Sequence, residues 1–165
     1  MPWSEQVALV TGGARGIGRA IVQRLVREGV AVAINYVARA DAAESLQAEI
    51  EAAGGQAIAV AADVSDDAAV EAMVDHVNAE LGPVTILVNN AGVSYQATLD
   101  TYDREQLERM RQVNADGVIH TTRAVMRSMR ERGYGRIVNV ASNAGIGTSL
   151  PGNAFYAASD RKSVV

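Results

Sequence analysis

The sequence contains no cysteine. That excludes a disulfide framework and a thiolate metal site. Its two histidines, His76 and His120, lie far apart along the chain, and nothing in their placement suggests a metal. There is no basic stripe: charges of both signs are interspersed and the net charge is −4, which argues against nucleic acid as the main partner. The opening MPWSEQVALV has no basic stretch followed by an apolar run, so no secretory signal is read there. No segment approaches the roughly 20 uninterrupted apolar residues of a membrane-spanning helix. A cytoplasmic protein with no membrane partner is expected. Low-complexity tracts, linkers and fixed-period repeats are also absent.

What is present fits one folded domain. The 165 residues are 48% hydrophobic and 21% charged, enough for a sizeable core. Short runs rich in Val, Ile, Leu and Ala occupy 6–11, 30–36, 56–64, 84–90 and 135–142. They are nearly continuous in apolar residues, as strands covered on both faces are. Between them, 16–28, 40–53, 66–81 and 103–131 carry apolar residues at helical spacing. Gly29, Gly54, Gly55 and Gly82 fall where helices end. Ser65 and Asp66 fall where an N-cap is needed. The alternation predicts an α/β doubly wound parallel sheet, Rossmann-like, with five strands and helices on both faces. In the long fourth helical stretch, Met110, Met126 and Met129 are expected in the core, with contact to a partner subunit as the second reading.

The first crossover, VALVTGGARGIGRAIVQRL, places Gly12, Gly16 and Gly18 between a strand and a helix. Glycines there let the backbone turn sharply and approach a pyrophosphate. The helix N-terminus then offers free N–H groups to that anion. A carboxylate near the end of the second strand would bond a ribose 2′-OH and repel a 2′-phosphate. Asn35 and Tyr36 stand there instead, with Arg15 and Arg39 nearby as positive charge. NADP(H) is therefore expected over NAD(H), and Asn35→Asp is expected to shift preference toward NAD.

The T-G-x-x-x-G-x-G spacing occurs with NNAG at 89–92, a serine ending the fifth strand, and Tyr156. Together they resemble the short-chain dehydrogenase/reductase family over residues 5–159. The resemblance is nearest to members that reduce 3-oxoacyl-[acyl-carrier-protein], with similar glucose, sugar and alcohol dehydrogenases as the alternative. It implies hydride transfer between a nicotinamide and a carbonyl or secondary alcohol, on a small-molecule or acyl-thioester substrate. Gly12, Arg15, Gly16, Ile17 and Gly18 are expected among the cofactor-binding residues. By resemblance, Asp63 and Val64 flank the adenine, and Asn90, Ala91 and Gly92 line the adenosine ribose region. The resemblance also implies a homotetramer for the full-length parent.

Reducing a carbonyl requires a proton donor within hydrogen-bond reach of its oxygen. A free tyrosine has a pKa of about 10, and a nearby cation lowers it. The family supplies that cation as a lysine four residues after the tyrosine. Carried over, the resemblance assigns Tyr156 as acid/base and cofactor contact, Ser142 as the residue polarising the carbonyl, and Asn114 as support for a proton relay. At the lysine position stands Asp160. At an effective dielectric near 20, a unit charge at 4 Å contributes about 4 kcal/mol, and here it has the wrong sign. The chain as written is expected to be inactive, and a non-catalytic nucleotide-binding module is the reading from another class. Residues 160–165, DRKSVV, read as a non-native tail, because a common sequencing adapter translates to this string. The parent is then expected to carry lysine at 160 and to continue through further strands and helices. Without those, the fifth strand is expected to be an unpaired apolar edge.

Overall fold

Side chains along a strand alternate between faces, and the first strand shows what this does to the core. Val7 and Leu9 enter one hydrophobic cluster, while Ala8 and Val10 enter another. Both faces of the sheet are therefore covered, which is why the strands read as continuous apolar runs. The computed structural model describes residues 1–147 and 151–159.

The chain runs β1 (Val7–Val10), α1 (Gly16–Arg27), β2 (Ala31–Tyr36), α2 (Ala40–Ala52), β3 (Ala57–Ala61) and α3 (Asp67–Glu80). It continues through β4 (Ile86–Asn89), α4 (Arg104–Arg111), a π-helical turn (Gln112–Asp116), α5 (Gly117–Arg132), β5 (Arg136–Asn139), a 3-10 turn (Asn143–Ile146) and α6 (Ala154–Ser159). The five strands are parallel in the order β3-β2-β1-β4-β5. Val22 of α1 and Leu46 and Ile50 of α2 pack on one face. Val70, Met73 and Val77 of α3 and Val125 and Met129 of α5 pack on the other.

Register decides where the site can lie. Val10 pairs with both Ile34 and Val88, and Asn89 pairs with Asn139. The loops that follow β1, β4 and β5 therefore leave the sheet along one carboxyl edge. That edge carries the glycine loop, NNAG and Ser142, at the point where the strand order reverses from β1 to β4.

Several elements depart from the sequence reading. The ladders are shorter than the apolar runs, some of which continue into buried flanking residues such as Thr11, Val30 and Val84. Asp66 caps α3, accepting from the Ala69 N–H at 3.2 Å. Ser65 instead donates its hydroxyl to Asp63 Oδ1 at 2.7 Å. The single long helix expected over 103–131 begins on an Asp103 cap and is divided by the π turn at 112–116. A π turn spaces the backbone hydrogen bonds wider and re-aims the residues within it; here these include Asn114. α5 then starts tight against the β3–α3 loop: a Cβ on Gly117 would lie 2.7 Å from Val64 Cγ2. Met110 and Met129 are buried, whereas Met126 is half-buried and Ile119 on α5 is 62% exposed. Among the described residues β5 has no partner on its outer side, and Val138 is 51% exposed.

Candidate functional site

The glycine loop is shaped by close contacts at Gly12 and Gly18. Gly12 adopts φ +63°, and a Cβ on Gly18 would stand 2.3 Å from the Gly12 carbonyl oxygen. α1 can therefore start this close to the loop only with glycine at 18. Gly16 also has positive φ but faces open space, and Arg15 and Ile17 are exposed beside it. The first turn of α1 leaves N–H groups without helical partners. Together these features make an open cradle that fits a phosphate anion.

The cradle is clasped to the next strand. Thr11 Oγ1 accepts the N–H groups of Asn90 and Ala91, each at 3.0 Å. Asn90 Nδ2 donates back to the carbonyls of Thr11 and Gly12 at 3.0 and 3.2 Å. Asn90 thus fixes the loop's shape from the NNAG segment. Asn89 ties neighbouring elements together: it accepts from Thr121 Oγ1 at 2.7 Å and donates to Asn139 Oδ1 at 2.9 Å.

Asn35 requires a correction. Its side chain does not project toward a ribose; it is buried, with Oδ1 accepting the Gly12 N–H at 3.2 Å. Its Nδ2 donates to the carbonyl of Ala62 at 2.9 Å. Asn35 therefore braces β2 against β3 and the glycine loop. Tyr36, half-buried at the end of β2, packs against the hydrophobic cluster on the Ala8 and Val10 face of the sheet. Arg39 does not present an unengaged charge, since it pairs with Asp41 at 2.9 Å. Arg15 is exposed and makes no ion pair among the described residues.

At the β3–α3 turn, Asp63 Oδ1 accepts the Ser65 N–H at 3.0 Å and the Ser65 hydroxyl at 2.7 Å. Arg109 of α4 donates to Asp63 Oδ2 at 2.6 Å and to the Ser65 hydroxyl. Burial alone would raise the Asp63 pKa, but the Ser65 hydrogen bonds and the Arg109 guanidinium outweigh it and hold the carboxyl below its ordinary value. His120 Nδ1 lies 3.0 Å from the Val64 carbonyl oxygen. The sequence reading missed Arg109. It sits among Arg104, Glu105, Glu108 and Arg111, and nothing in such a charged run separates it from solvated neighbours.

The catalytic candidates lie at the other end of the edge. Ser142 caps the 3-10 turn, with Oγ accepting the Ala144 N–H at 3.1 Å. α6, which carries the half-buried Tyr156, packs against that turn and against α4. Asn114 is fully buried. Its Oδ1 accepts the Val93 N–H at 2.9 Å, and its Nδ2 donates to the Val93 carbonyl at 2.9 Å and to Ser159 Oγ at 3.1 Å. Ser159 in turn donates to the Tyr156 carbonyl at 3.0 Å. Asn114 and the Tyr156 helix are thus linked directly, and the π turn puts Asn114 within reach of both partners. Asp160 lies outside the described residues. Among those residues, no group of three or more His, Asp or Glu is placed to hold a metal ion, and no helix is long and apolar enough to cross a membrane.

The sequence profile of the family described as short chain dehydrogenase matches residues 6–162. The chain belongs to that family. This short chain dehydrogenase is 39% identical over 153 residues to 3-oxoacyl-[acyl-carrier-protein] reductase of Synechocystis, which covers 93% of the chain and 62% of the relative. It is 37% identical over 156 residues to D-beta-hydroxybutyrate dehydrogenase of Cupriavidus necator, covering 93% and 59%. Among solved structures, a short chain dehydrogenase from Burkholderia cenocepacia in complex with NADP superposes with a TM-score of 0.89 at 38% identity. It covers 98% of this chain and 65% of that one. The chain thus spans about three-fifths of the length of these curated relatives.

Proposed function

We propose that this short chain dehydrogenase binds NADP(H) along the carboxyl edge of its sheet. In the full-length parent it then reduces a carbonyl, with a 3-oxoacyl thioester as substrate. The observation that carries the reading is the cradle in which Gly18 abuts the Gly12 carbonyl and a positive-φ Gly16 faces open space. Solved relatives in complex with NADPH or NADP support the choice of nicotinamide. So does the absence of an acidic side chain at the end of β2, where Tyr36 stands.

In this reading Gly12, Arg15, Gly16, Ile17 and Gly18 hold the pyrophosphate. Asp63 and Val64 meet the adenine, and Ala91 and Gly92 border the ribose. Tyr36 borders the 2′-phosphate, while Asn35 and Asn90 act by holding the loop in shape. When bound, the reduced nicotinamide supplies a hydride. The Ser142 hydroxyl orients the substrate carbonyl, and the Tyr156 hydroxyl gives its proton to the carbonyl oxygen. Asn114 holds α6 in place through Ser159. An aspartate at 160 opposes ionisation of Tyr156, so the chain as written binds cofactor but turns over poorly. The exposed Ile119 on α5 supports subunit contact in a parental homotetramer, and the expected location is the cytoplasm.

A second substrate class, a sugar or hydroxy acid, is favoured by the likeness to D-beta-hydroxybutyrate dehydrogenase and to a gluconate 5-dehydrogenase in complex with NADP and tartrate. The full-length enzyme, assayed for NADPH oxidation with an acetoacetyl thioester beside a sugar panel, separates the two. The first reading predicts faster turnover of the thioester; turnover of sugars alone contradicts it. NADPH bound without turnover of any substrate, after lysine is installed at 160, would favour a nucleotide-binding module.

A further inference from the structure

Among the described residues α6 spans only six, Ala154–Ser159, too few for helical hydrogen bonds alone to hold it. Contacts at its start supply the rest. Asn153 sits where the helix begins: its carbonyl accepts the Ala157 N–H at 2.8 Å. Its buried side chain accepts from Gln96 Nε2 through Oδ1 at 3.2 Å. The Ala97 N–H donates to the Gly152 carbonyl at 3.0 Å. One residue before Tyr156, the Phe155 ring meets Tyr102, with centroids 5.4 Å apart and planes at 47°. Aromatic pairs favour such tilted contacts over face-to-face stacking.

Gln96, Ala97 and Tyr102 all lie on the loop between β4 and α4. That loop is tied back to α4, because the Tyr95 hydroxyl accepts the N–H of Asp103, the α4 cap, at 2.6 Å. Beyond α4, Asn114 reaches Ser159 at the other end of α6. The segment 93–114 thus holds the Tyr156 helix at both ends. α6 packs in turn on the 3-10 turn capped by Ser142. A shift of its first turn therefore changes the spacing between the Tyr156 and Ser142 side chains. Leu99 lies on the same loop but is 78% exposed, and it belongs to none of these contacts.

We propose that Gln96 and Tyr102 are positioning residues for Tyr156: an amide and a ring on the β4–α4 loop set where the first turn of α6 stands. The inference rests on the reading above, in which Tyr156 meets carbonyl and cofactor, and adds the residues that place it. The Gln96 amide supplies the N–H donor that Asn153 Oδ1 accepts, and a methionine there has no donor to offer. Tyr102 contributes its ring to the Phe155 pair, so phenylalanine at 102 keeps the contact.

The test is an NMR titration of the full chain, 13C-labelled at tyrosine, with NADPH. The chain has five tyrosines, so the Tyr156 signal is assigned by its loss in Tyr156→Phe. In the unaltered chain, saturation with NADPH should shift that signal. In Gln96→Met and in Tyr102→Ala the shift should fall by roughly half or more, because a loosened helix averages over several positions. Affinity for NADPH should stay within about twofold, since the glycine loop is held by Asn35 and Asn90 instead. Tyr102→Phe and Leu99→Ala should both keep the full shift. An undiminished shift in either Gln96→Met or Tyr102→Ala, an equal loss in Leu99→Ala or Tyr102→Phe, or a loss of NADPH affinity in step with the shift would overturn the inference while leaving the reading of Tyr156 intact. NADPH binding with no Tyr156 shift in the unaltered chain, or no binding at all, would overturn both.

Discussion

Asn114 Nδ2 lies 3.1 Å from Ser159 Oγ, joining the π turn to the helix that carries Tyr156 across 45 residues of chain. The same amide accepts and donates to the backbone of Val93, just past NNAG. Replacing it by alanine leaves the Val93 N–H and carbonyl without these partners beside a buried void. Asn114→Ala should cost about 1–3 kcal/mol of stability, the usual penalty for buried polar groups left unpaired. Asn114→Asp keeps the Val93 N–H bond but loses both donors. Urea unfolding of the two variants should show both destabilised relative to the parent chain; an unchanged midpoint in either would contradict the geometry.

Gly18 and Gly16 should respond differently to the same added methyl. At Gly18 the Cβ collides with the Gly12 carbonyl, so the loop must move. Gly18→Ala should weaken NADPH binding on the order of tenfold or more. At Gly16 the Cβ meets nothing within 4 Å and the strain comes from φ +55°. That strain costs about 1 kcal/mol of stability, with a smaller effect on binding. Fluorescence titration of both variants distinguishes the two cases, and a reversed order would be inconsistent with the cradle described.

Asn35→Asp removes the donor to the Ala62 carbonyl and sets a buried carboxylate against it. A loss of about 2 kcal/mol or more is expected, with NADPH and NADH affinities falling together. A switch in cofactor preference at full stability would show that the side chain faces the ribose after all.

The Asp63 carboxyl is held below its ordinary pKa of about 3.9. A group whose folded pKa is depressed contributes stability above the unfolded value, and loses it as pH falls through the folded value. Asp63→Asn should therefore flatten the acid limb of the stability curve below about pH 4, with only a modest change at neutral pH because the pair is partly exposed. Thermal melts of both proteins from pH 3 to 7 check this; parallel acid limbs would argue against it.

The parallel sheet was legible because β1, β2 and β4 are covered on both faces, leaving unbroken Val, Ile and Ala runs that few other architectures produce. Gly29, Gly54 and Gly82 marked helix ends correctly, each at positive φ. The glycine loop was legible because strand, turn and helix follow in order. Side-chain direction was not. Asn35 occupies the strand end where a ribose contact is sought, yet period-two alternation turns it inward to the loop it braces. The π turn left no trace in composition, since re-spacing the backbone hydrogen bonds over five residues changes neither composition nor propensity. Arg109 was hidden for a different reason: its partner is 46 residues away, and pairing across that distance is a property of the fold.

The central claim is that the carboxyl edge of the sheet binds a dinucleotide. The most direct test is a 1H–15N NMR titration of the chain with NADPH. Saturable amide shifts should concentrate at 12–18, 36, 63–64 and 90–92. Saturation with shifts elsewhere, or none at all at millimolar NADPH, would contradict it.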